Sequence, residues 1–108
     1  MGGRAATQEF FRLFAIPGMD HCTGGPGTFA IDYLSYLEGW VERGQAPDKM
    51  IGAHVPNATW AESFRLRFPL NPAVPISFTR PIYPFPVRAK YKGTGEATKA
   101  ENFRPVEP

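Results

Sequence analysis

The sequence predicts an α/β fold, and three observations support this class. The apolar run FRLFAIP leaves both of its faces hydrophobic, which is typical of a strand covered on both sides in a mostly parallel sheet. A glycine-rich loop follows, and then a long segment with apolar residues at helical spacing. The 108 residues, 43% of them hydrophobic, allow one small domain with a core, but not two.

The elements follow in chain order. The first strand is predicted to end at Pro17, and a long helix to begin at Thr28 as N-cap. The helix should run to Arg43, because Gly44 is a natural C-terminal cap. Its apolar stripe is predicted to be core packing rather than a partner groove, provided that the rest of the sheet is present, and comprises Ile31, Leu34, Leu37, Trp40 and Val41. The segment Met50 to Val55 is predicted as a second short strand.

The later part of the chain is rich in proline. The stretch SFTRPIYPFPVRAKYKG alternates weakly, but Pro81, Pro84 and Pro86 exclude it from a sheet interior. An edge strand or an extended loop is therefore expected there. Beyond Gly95 the chain is polar and should lie on the surface, anchored at Phe103.

Composition excludes some classes of partner. Twelve basic and ten acidic residues give a net charge of +2, which gives no reason to expect a nucleic-acid or membrane partner. Basic and aromatic residues do mix in one stretch, as in nucleic-acid binders, but the broken backbone favours a solvated edge. These residues are Arg80, Arg88, Lys90, Lys92, Tyr83, Phe85 and Tyr91. No apolar run is long enough to cross a bilayer, and MGGRAATQEFF lacks the apolar segment of a signal peptide, so the chain as written is predicted to be cytoplasmic.

The residues with chemical potential lie in PGMDHCTGGPG, where His21 and the only cysteine, Cys22, are adjacent. The loop-shaping glycines, which allow positive φ and tight turns that could aim an imidazole, are Gly18, Gly24, Gly25 and Gly27. A lone loop histidine is more often simply solvated, so the spacing alone leaves both interpretations open. One cysteine cannot form an internal disulfide, which fits a reduced compartment or an inert buried thiol.

Two neighbouring possibilities are weaker. Asp20 adjoins His21, but an adjacent carboxylate rarely orients an imidazole, so it is predicted to be solvated. His54 together with His21 and Cys22 could suggest a zinc site. Adjacent ligands strain a tetrahedral geometry and no fourth ligand is suitably spaced, so no metal is predicted and His54 is interpreted as a partly buried structural residue.

The pattern P-G-M-x-H-C-x-G-G-P-G closely resembles the C-terminal part of the tannase and feruloyl esterase family, α/β-hydrolases that cleave esters of phenolic acids. The resemblance includes FAIDYLSYLEGWVERGQAPDKMIGAHV and continues through TRPIYPFPVRAKYKGTG and ENF, so it covers almost the whole chain. It implies that residues 1–108 form a single partial domain, a C-terminal fragment of an α/β-hydrolase catalytic domain. The implied parts are the last strand, the histidine loop, the last long helix and an extended proline-rich edge segment.

The resemblance also implies roles for the adjacent pair. His21 matches the histidine of a Ser-His-Asp triad, which lies after the last strand and acts as general base on the serine. Cys22 matches a cysteine that, in the family, is disulfide-bonded to the residue directly preceding that serine. Such a bridge would hold the two triad loops together.

Other family features are not found in the sequence. The family's C-S-x-G-G elbow and its aspartate loop are absent, and Ser35, Ser63 and Ser77 lie in ordinary contexts. The calcium site of the family's lid would also belong to upstream sequence, so no cofactor is expected in this chain. Tyr83 stands where relatives commonly carry a cysteine paired near the C-terminus, which weakens the expectation of the secreted or periplasmic location usual in the family.

The sequence therefore leaves two functional hypotheses. The first is a fragment of a phenolic-acid ester hydrolase that supplies His21 and is inactive alone, with an uncovered helix face that exposes apolar surface. Its substrate would bind only in the complete enzyme, and the missing N-terminal part as a separate chain is one candidate partner. The alternative is a non-catalytic remnant or small interaction module that retains the fold fragment.

Overall fold

The computed structural model describes residues 2–70 and 74–108, which form a small mixed α/β arrangement. The helices are α1 (Arg4–Thr7), α2 (Tyr33–Arg43), α3 (Trp60–Ser63) and a 3₁₀ turn (Ala100–Asn102). The strands are β1 (Met50–His54), β2 (Phe78–Ile82), β3 (Arg88–Tyr91) and β4 (Phe103–Val106). β1 pairs with β2 and β3 with β4, each pair antiparallel, so the described ranges contain no parallel sheet of the kind expected around residues 11–16.

The first predicted strand is also wrong as stated. Residues 11–16 are extended, but their ladder pairing is a single bridge between Phe14 and Pro84. Burial alternates along this segment as in a strand: Arg12, Phe14 and Ile16 are half-buried, and Phe11, Leu13 and Ala15 are exposed. The segment thus has the side-chain pattern of a strand without a neighbouring strand along its length in the described part of the chain.

The long helix begins later than predicted, at Tyr33, with Asp32 as its N-cap. The Asp32 carboxylate accepts hydrogen bonds from the backbone N–H of Ser35 at 3.2 Å and from its hydroxyl at 2.6 Å. Residues 28–31 are buried and extended instead, because Ala30 exchanges two backbone hydrogen bonds of 3.0 Å with Ala53 of β1. The end of the helix at Arg43 is as predicted, with Gly44 in the left-handed conformation at φ 65°.

The core lies between this buried segment and the β1–β2 pair. One cluster contains Phe29, Ala30, Ala53 and Val55, and a second contains Ile31, Met50 and Ile82. The core-packing prediction for the α2 stripe applies to a complete sheet, and in this chain three of its residues are outside the core, since Leu34, Leu37 and Val41 are 62%, 56% and 76% exposed. Ile31 is buried, and Tyr36 and Trp40, which are half-buried, occupy the inner side of the helix.

The proline-rich part is arranged as expected for edge strands. Pro81 lies within β2 opposite Ile51, in a sheet of only two strands, so its missing N–H can face away from the partner. The prolines that follow, Pro84 and Pro86, lie in the connection to β3. Among the described residues, none of the helices combines the length and the apolar character that a bilayer crossing requires.

Candidate functional site

The loop from Gly18 to Gly27, called here the histidine loop, is closed by its own backbone. The N–H of Gly27 donates to the carbonyl of Gly18 at 2.8 Å, and the N–H of Asp20 donates to the carbonyl of Gly24 at 3.0 Å. Gly18, Gly24 and Gly25 have φ values of 75°, 76° and 90°, as expected for glycine in tight turns. The loop is therefore a compact turn closed by its own backbone hydrogen bonds, and not an extended loop.

Gly27 is needed for a different reason. It is not among the positive-φ glycines, but a Cβ at this position would collide with the carbonyl oxygen of Pro17 and lie 2.9 Å from the carbonyl carbon of Gly18. The additional left-handed residue is instead Cys22, at φ 72°, a conformation uncommon for residues other than glycine. Gly27 thus lets the two ends of the loop approach each other, and Cys22 is a non-glycine residue of the loop that adopts a left-handed conformation.

The two reactive side chains of the loop are exposed and touch each other. The Cys22 sulfur lies 3.1 Å from Nδ1 of His21, and Cys22 is an unbridged thiol. Within the described ranges, Nε2 of His21 makes no hydrogen bond, so this nitrogen is open to an incoming hydroxyl group. The arrangement can accept or donate a proton at Nε2 while a partner occupies Nδ1.

Helix α3 holds the middle of the loop. The indole N–H of Trp60 donates to the carbonyl of His21 at 3.3 Å. α3 begins with a capping box, in which the Thr59 hydroxyl accepts from the N–H of Glu62 and the Glu62 carboxylate accepts from the N–H of Thr59. These hydrogen bonds lower the pKa of Glu62. Sequence reasoning missed this support, although the T-x-x-E pattern of residues 59–62 is a helix-start signal.

His54 of β1 holds the end of the loop. Its Nδ1 lies 2.9 Å from the carbonyl oxygen of Gly27, and its ring stacks on Phe78 at 5.1 Å. His54 is half-buried, as predicted for a structural residue. In the described residues no group of three or more His, Cys, Asp or Glu side chains is placed to hold a metal ion.

Neither the neighbouring acid nor the serines complete a triad. Asp20 is exposed, and in the described part of the chain its carboxylate makes no hydrogen bond to the imidazole. Ser35 hydrogen-bonds its helix cap, and the hydroxyl of buried Ser63 donates to the carbonyl of Trp60 at 2.6 Å. The backbone of Ser77 continues the pairing beside β1, with its N–H on the carbonyl of His54. Among the described residues, the histidine loop thus presents a histidine without a serine or a carboxylate partner.

Comparison with known proteins assigns the family. The family model described as tannase and feruloyl esterase matches residues 1–106. The chain is 39% identical, over 92% of its length, to the mono(2-hydroxyethyl) terephthalate hydrolase of Piscinibacter sakaiensis, and 33% identical over 95% of its length to a probable feruloyl esterase of Arthroderma benhamiae. It covers 14% and 17% of these two proteins.

Two solved structures of esterases superpose on this chain and support the same family. The crystal structure of an esterase from Aspergillus oryzae superposes with a TM-score of 0.77 at 29% identity, over 96% of this chain and 21% of that one. The crystal structure of feruloyl esterase B from the same organism gives a TM-score of 0.65 at 28% identity, over 94% and 20%. The chain therefore belongs to the tannase and feruloyl esterase family, which confirms the resemblance drawn from the histidine motif, and it spans only about a seventh to a fifth of the length of these relatives.

Proposed function

We propose that this chain is the histidine-bearing part of a carboxylic ester hydrolase that cleaves esters of phenolic acids. The observation that carries the proposal is the exposed His21, which follows an extended segment on a compact glycine loop with Nε2 open. The family and the feruloyl esterases among the relatives support the substrate class. The serine and the acidic partner would come from residues outside these 108.

In the proposed reaction, His21 moves protons in both halves of the cycle. Nε2 accepts the proton of the serine hydroxyl as its oxygen attacks the ester carbonyl carbon, and the same proton passes to the leaving alcohol. An acyl-enzyme remains. Nε2 then takes a proton from water, the hydroxide attacks the acyl carbon, and the phenolic acid leaves as the proton returns to the serine. The fold's part in this is to hold the backbone of the histidine loop, since Trp60 bonds the carbonyl of His21 and His54 lies at hydrogen-bond distance from the carbonyl of Gly27.

Cys22 has a defined place in the same proposal. Its sulfur now lies at Nδ1 of His21, the nitrogen that a triad carboxylate would use. Oxidation of Cys22 and a cysteine beside the serine to a disulfide, with an external disulfide oxidant that takes up the two electrons and two protons, would replace the S–H bond and tie the two loops together. Nδ1 would then be available to the carboxylate.

A chimera tests the role of His21. The matched C-terminal stretch of the Aspergillus oryzae esterase is replaced by residues 2–106, and hydrolysis of methyl ferulate is measured. His21→Ala should lower kcat by about 10³-fold or more, as expected for loss of a triad member, whereas the matched neighbour Asp20→Asn should change it by less than about 3-fold. Equal losses in the two variants, or an active His21→Ala chimera, would contradict the proposal.

Two further measurements sharpen the result. Peptide mapping of the unreduced chimera should find Cys22 in a disulfide. The 108-residue chain alone should show no turnover, and turnover that disappears in a His21→Ala chain would refute the requirement for an external serine.

A second candidate function, a non-catalytic interaction module, is favoured by the exposed apolar stripe of Leu34, Leu37 and Val41. Coding DNA upstream separates the two candidates, because an esterase requires a C-S-x-G-G elbow and a later aspartate loop there. A chimera that folds with its disulfide formed but has no His21-dependent activity would favour the module.

A further inference from the structure

A groove of about 570 Å³ lies between the proline-rich strands and the two ends of the histidine loop. Pro17 and Gly27 line one side, and the aromatic rings of Phe78, Phe85 and Phe103 contribute to the rest. This volume falls within the range of about 300–1,000 Å³ that is typical of small-molecule sites. The walls are mostly apolar, so a ligand with an aromatic ring would match them in size and character.

The charged residues of the groove all have one sign. Arg80 and Arg88 line it, and no Asp or Glu does so among the residues that the structure describes. Within the same residues, no carboxylate lies within ion-pair distance of either guanidinium. The groove therefore presents cationic groups to any molecule that enters it, with no internal anion to neutralise them.

Arg80 is held in a way that leaves donors free. Its guanidinium carbon lies 4.6 Å from the ring centroid of Phe78 and 4.4 Å from that of Phe103, so both rings make cation–π contacts with it. One of its N–H groups donates to the carbonyl of Thr79 at 2.8 Å. No side-chain nitrogen in the described part of the chain is fully buried without a partner, so Nε and Nη2 of this half-buried residue, which have no partner there, keep some contact with solvent. Burial lowers the pKa of Arg80, and an adjacent anion would offset this cost.

We propose that this groove binds an aromatic carboxylate, with the ring against Phe85 and the carboxylate on the edge of Arg80, next to Arg88. A guanidinium edge matches a carboxylate through two parallel hydrogen bonds. Tyr83, whose pKa is raised by burial, stays protonated and can donate to a ring substituent. The ligand class rests on the groove alone; the choice of ferulate as probe rests on the proposed function, in which the released acid carries both a ring and a carboxylate.

The test compares three probes on the 108-residue chain by calorimetric titration and NMR shift mapping. Ferulate carries the ring and the charge, methyl ferulate has the ring without the charge, and acetate has the charge without the ring. Ferulate should bind at least 10-fold more tightly than either of the other two. The His21→Ala form of the chimera described above, which is expected not to hydrolyse methyl ferulate, is titrated in parallel.

Variants locate the site. Three substitutions should each weaken ferulate binding at least 10-fold: Arg80→Gln, Arg88→Gln and Phe85→Ala. Arg88 and Phe85 are exposed, so their variants still measure the contribution of the groove to binding if Arg80→Gln disturbs folding. Arg104→Gln is the matched control, because Arg104 is exposed on β4 and is not among the groove residues. His21→Ala should leave ferulate binding unchanged, so failure of this site and failure of the histidine's catalytic role give different results.

Several outcomes would overturn the proposal. Equal affinity for ferulate and methyl ferulate would remove the role of the arginines. Full binding by Arg88→Gln and Phe85→Ala would place the ligand elsewhere, and loss of binding in His21→Ala would place it at the imidazole. Absence of ferulate binding to both the chain and the chimera would exclude the site.

Discussion

The compactness of the histidine loop makes a quantitative prediction at Gly25. This residue has φ 90°, and a Cβ built on it would lie 2.6 Å from the carbonyl oxygen of Gly18 and 2.7 Å from the backbone nitrogen of Asp20. Both contacts are with backbone atoms, which cannot rotate away as a side-chain end could. In Gly25→Ala the backbone of the loop must therefore move, or the new methyl group must remain in steric overlap with these atoms, and either result lowers the stability of the fold.

The cost has two separable parts, and the chain provides a control for one of them. A left-handed conformation costs a residue with a Cβ about 1–2 kcal/mol. Overlap with fixed neighbours adds about 1–3 kcal/mol, which gives about 2–5 kcal/mol in all. Gly93 has nearly the same φ, 91°, but no atom lies within 4 Å of its Cβ position, so Gly93→Ala should cost only about 1–2 kcal/mol.

Urea unfolding of the two variants measures the difference, by linear extrapolation with a common m-value. Gly25→Ala should be the less stable by at least about 1 kcal/mol, which is the lower bound of the overlap cost. NMR resonances of the His21 ring should shift in Gly25→Ala and stay unchanged in Gly93→Ala. Equal losses of stability with an unmoved His21 signal would show that the loop has room for a Cβ, and would refute the description of the loop as a closed turn.

Three further predictions concern the helices. Asp32→Ala should lower the free energy of unfolding by about 1 kcal/mol in thermal melts followed by circular dichroism, and an unchanged melt would mean that the α2 cap is not formed. Leu34→Lys with Val41→Lys should reduce self-association in sedimentation velocity with little change in melting temperature, because both side chains are exposed; a native chain that is monomeric and binds no hydrophobic dye would contradict this. Glu62 should titrate in NMR below the usual glutamate pKa, and its capping contribution, fully present above that pKa, should fade as pH falls through the lowered value. Titration of Glu62 at the usual pKa, or an identical dependence of stability on acid pH in Glu62→Gln, would contradict this prediction.

Local signals predicted the parts of the fold that depend on local chemistry. The end of α2 at Arg43 was predicted from Gly44, which readily adopts the left-handed conformation of a C-terminal cap. The strand that begins at Met50 was predicted from a short apolar run. The start of α2 was misplaced because Thr28 and Asp32 are both good N-cap types. The choice between them is decided by the pairing of Ala30 with β1, a contact across the chain that no local pattern specifies.

The histidine loop also contains features that depend on contacts rather than on local sequence patterns. The sequence indicated that the glycines of this loop allow positive φ and tight turns, and Gly25 has a φ of 90°. It could not predict that the Cys22 sulfur lies at Nδ1 of His21, since that depends on the rotamers of two exposed side chains. Nor did it predict the hydrogen bond from Trp60, which comes from a separate helix.

The exposed apolar side chains link the stability of the chain to its proposed chemistry. Phe11 and Leu13 precede the histidine loop, Leu34 and Leu37 follow it, and all four are 55–62% exposed. Covering what remains exposed would contribute about 1–2 kcal/mol for each side chain, scaled from about 1.5–3 kcal/mol for full burial. The total of about 4–8 kcal/mol is comparable with the whole stability of a small domain, about 5–15 kcal/mol. A surface that covers both groups would fix the two segments on either side of His21, so docking and the positioning of the imidazole would be one event.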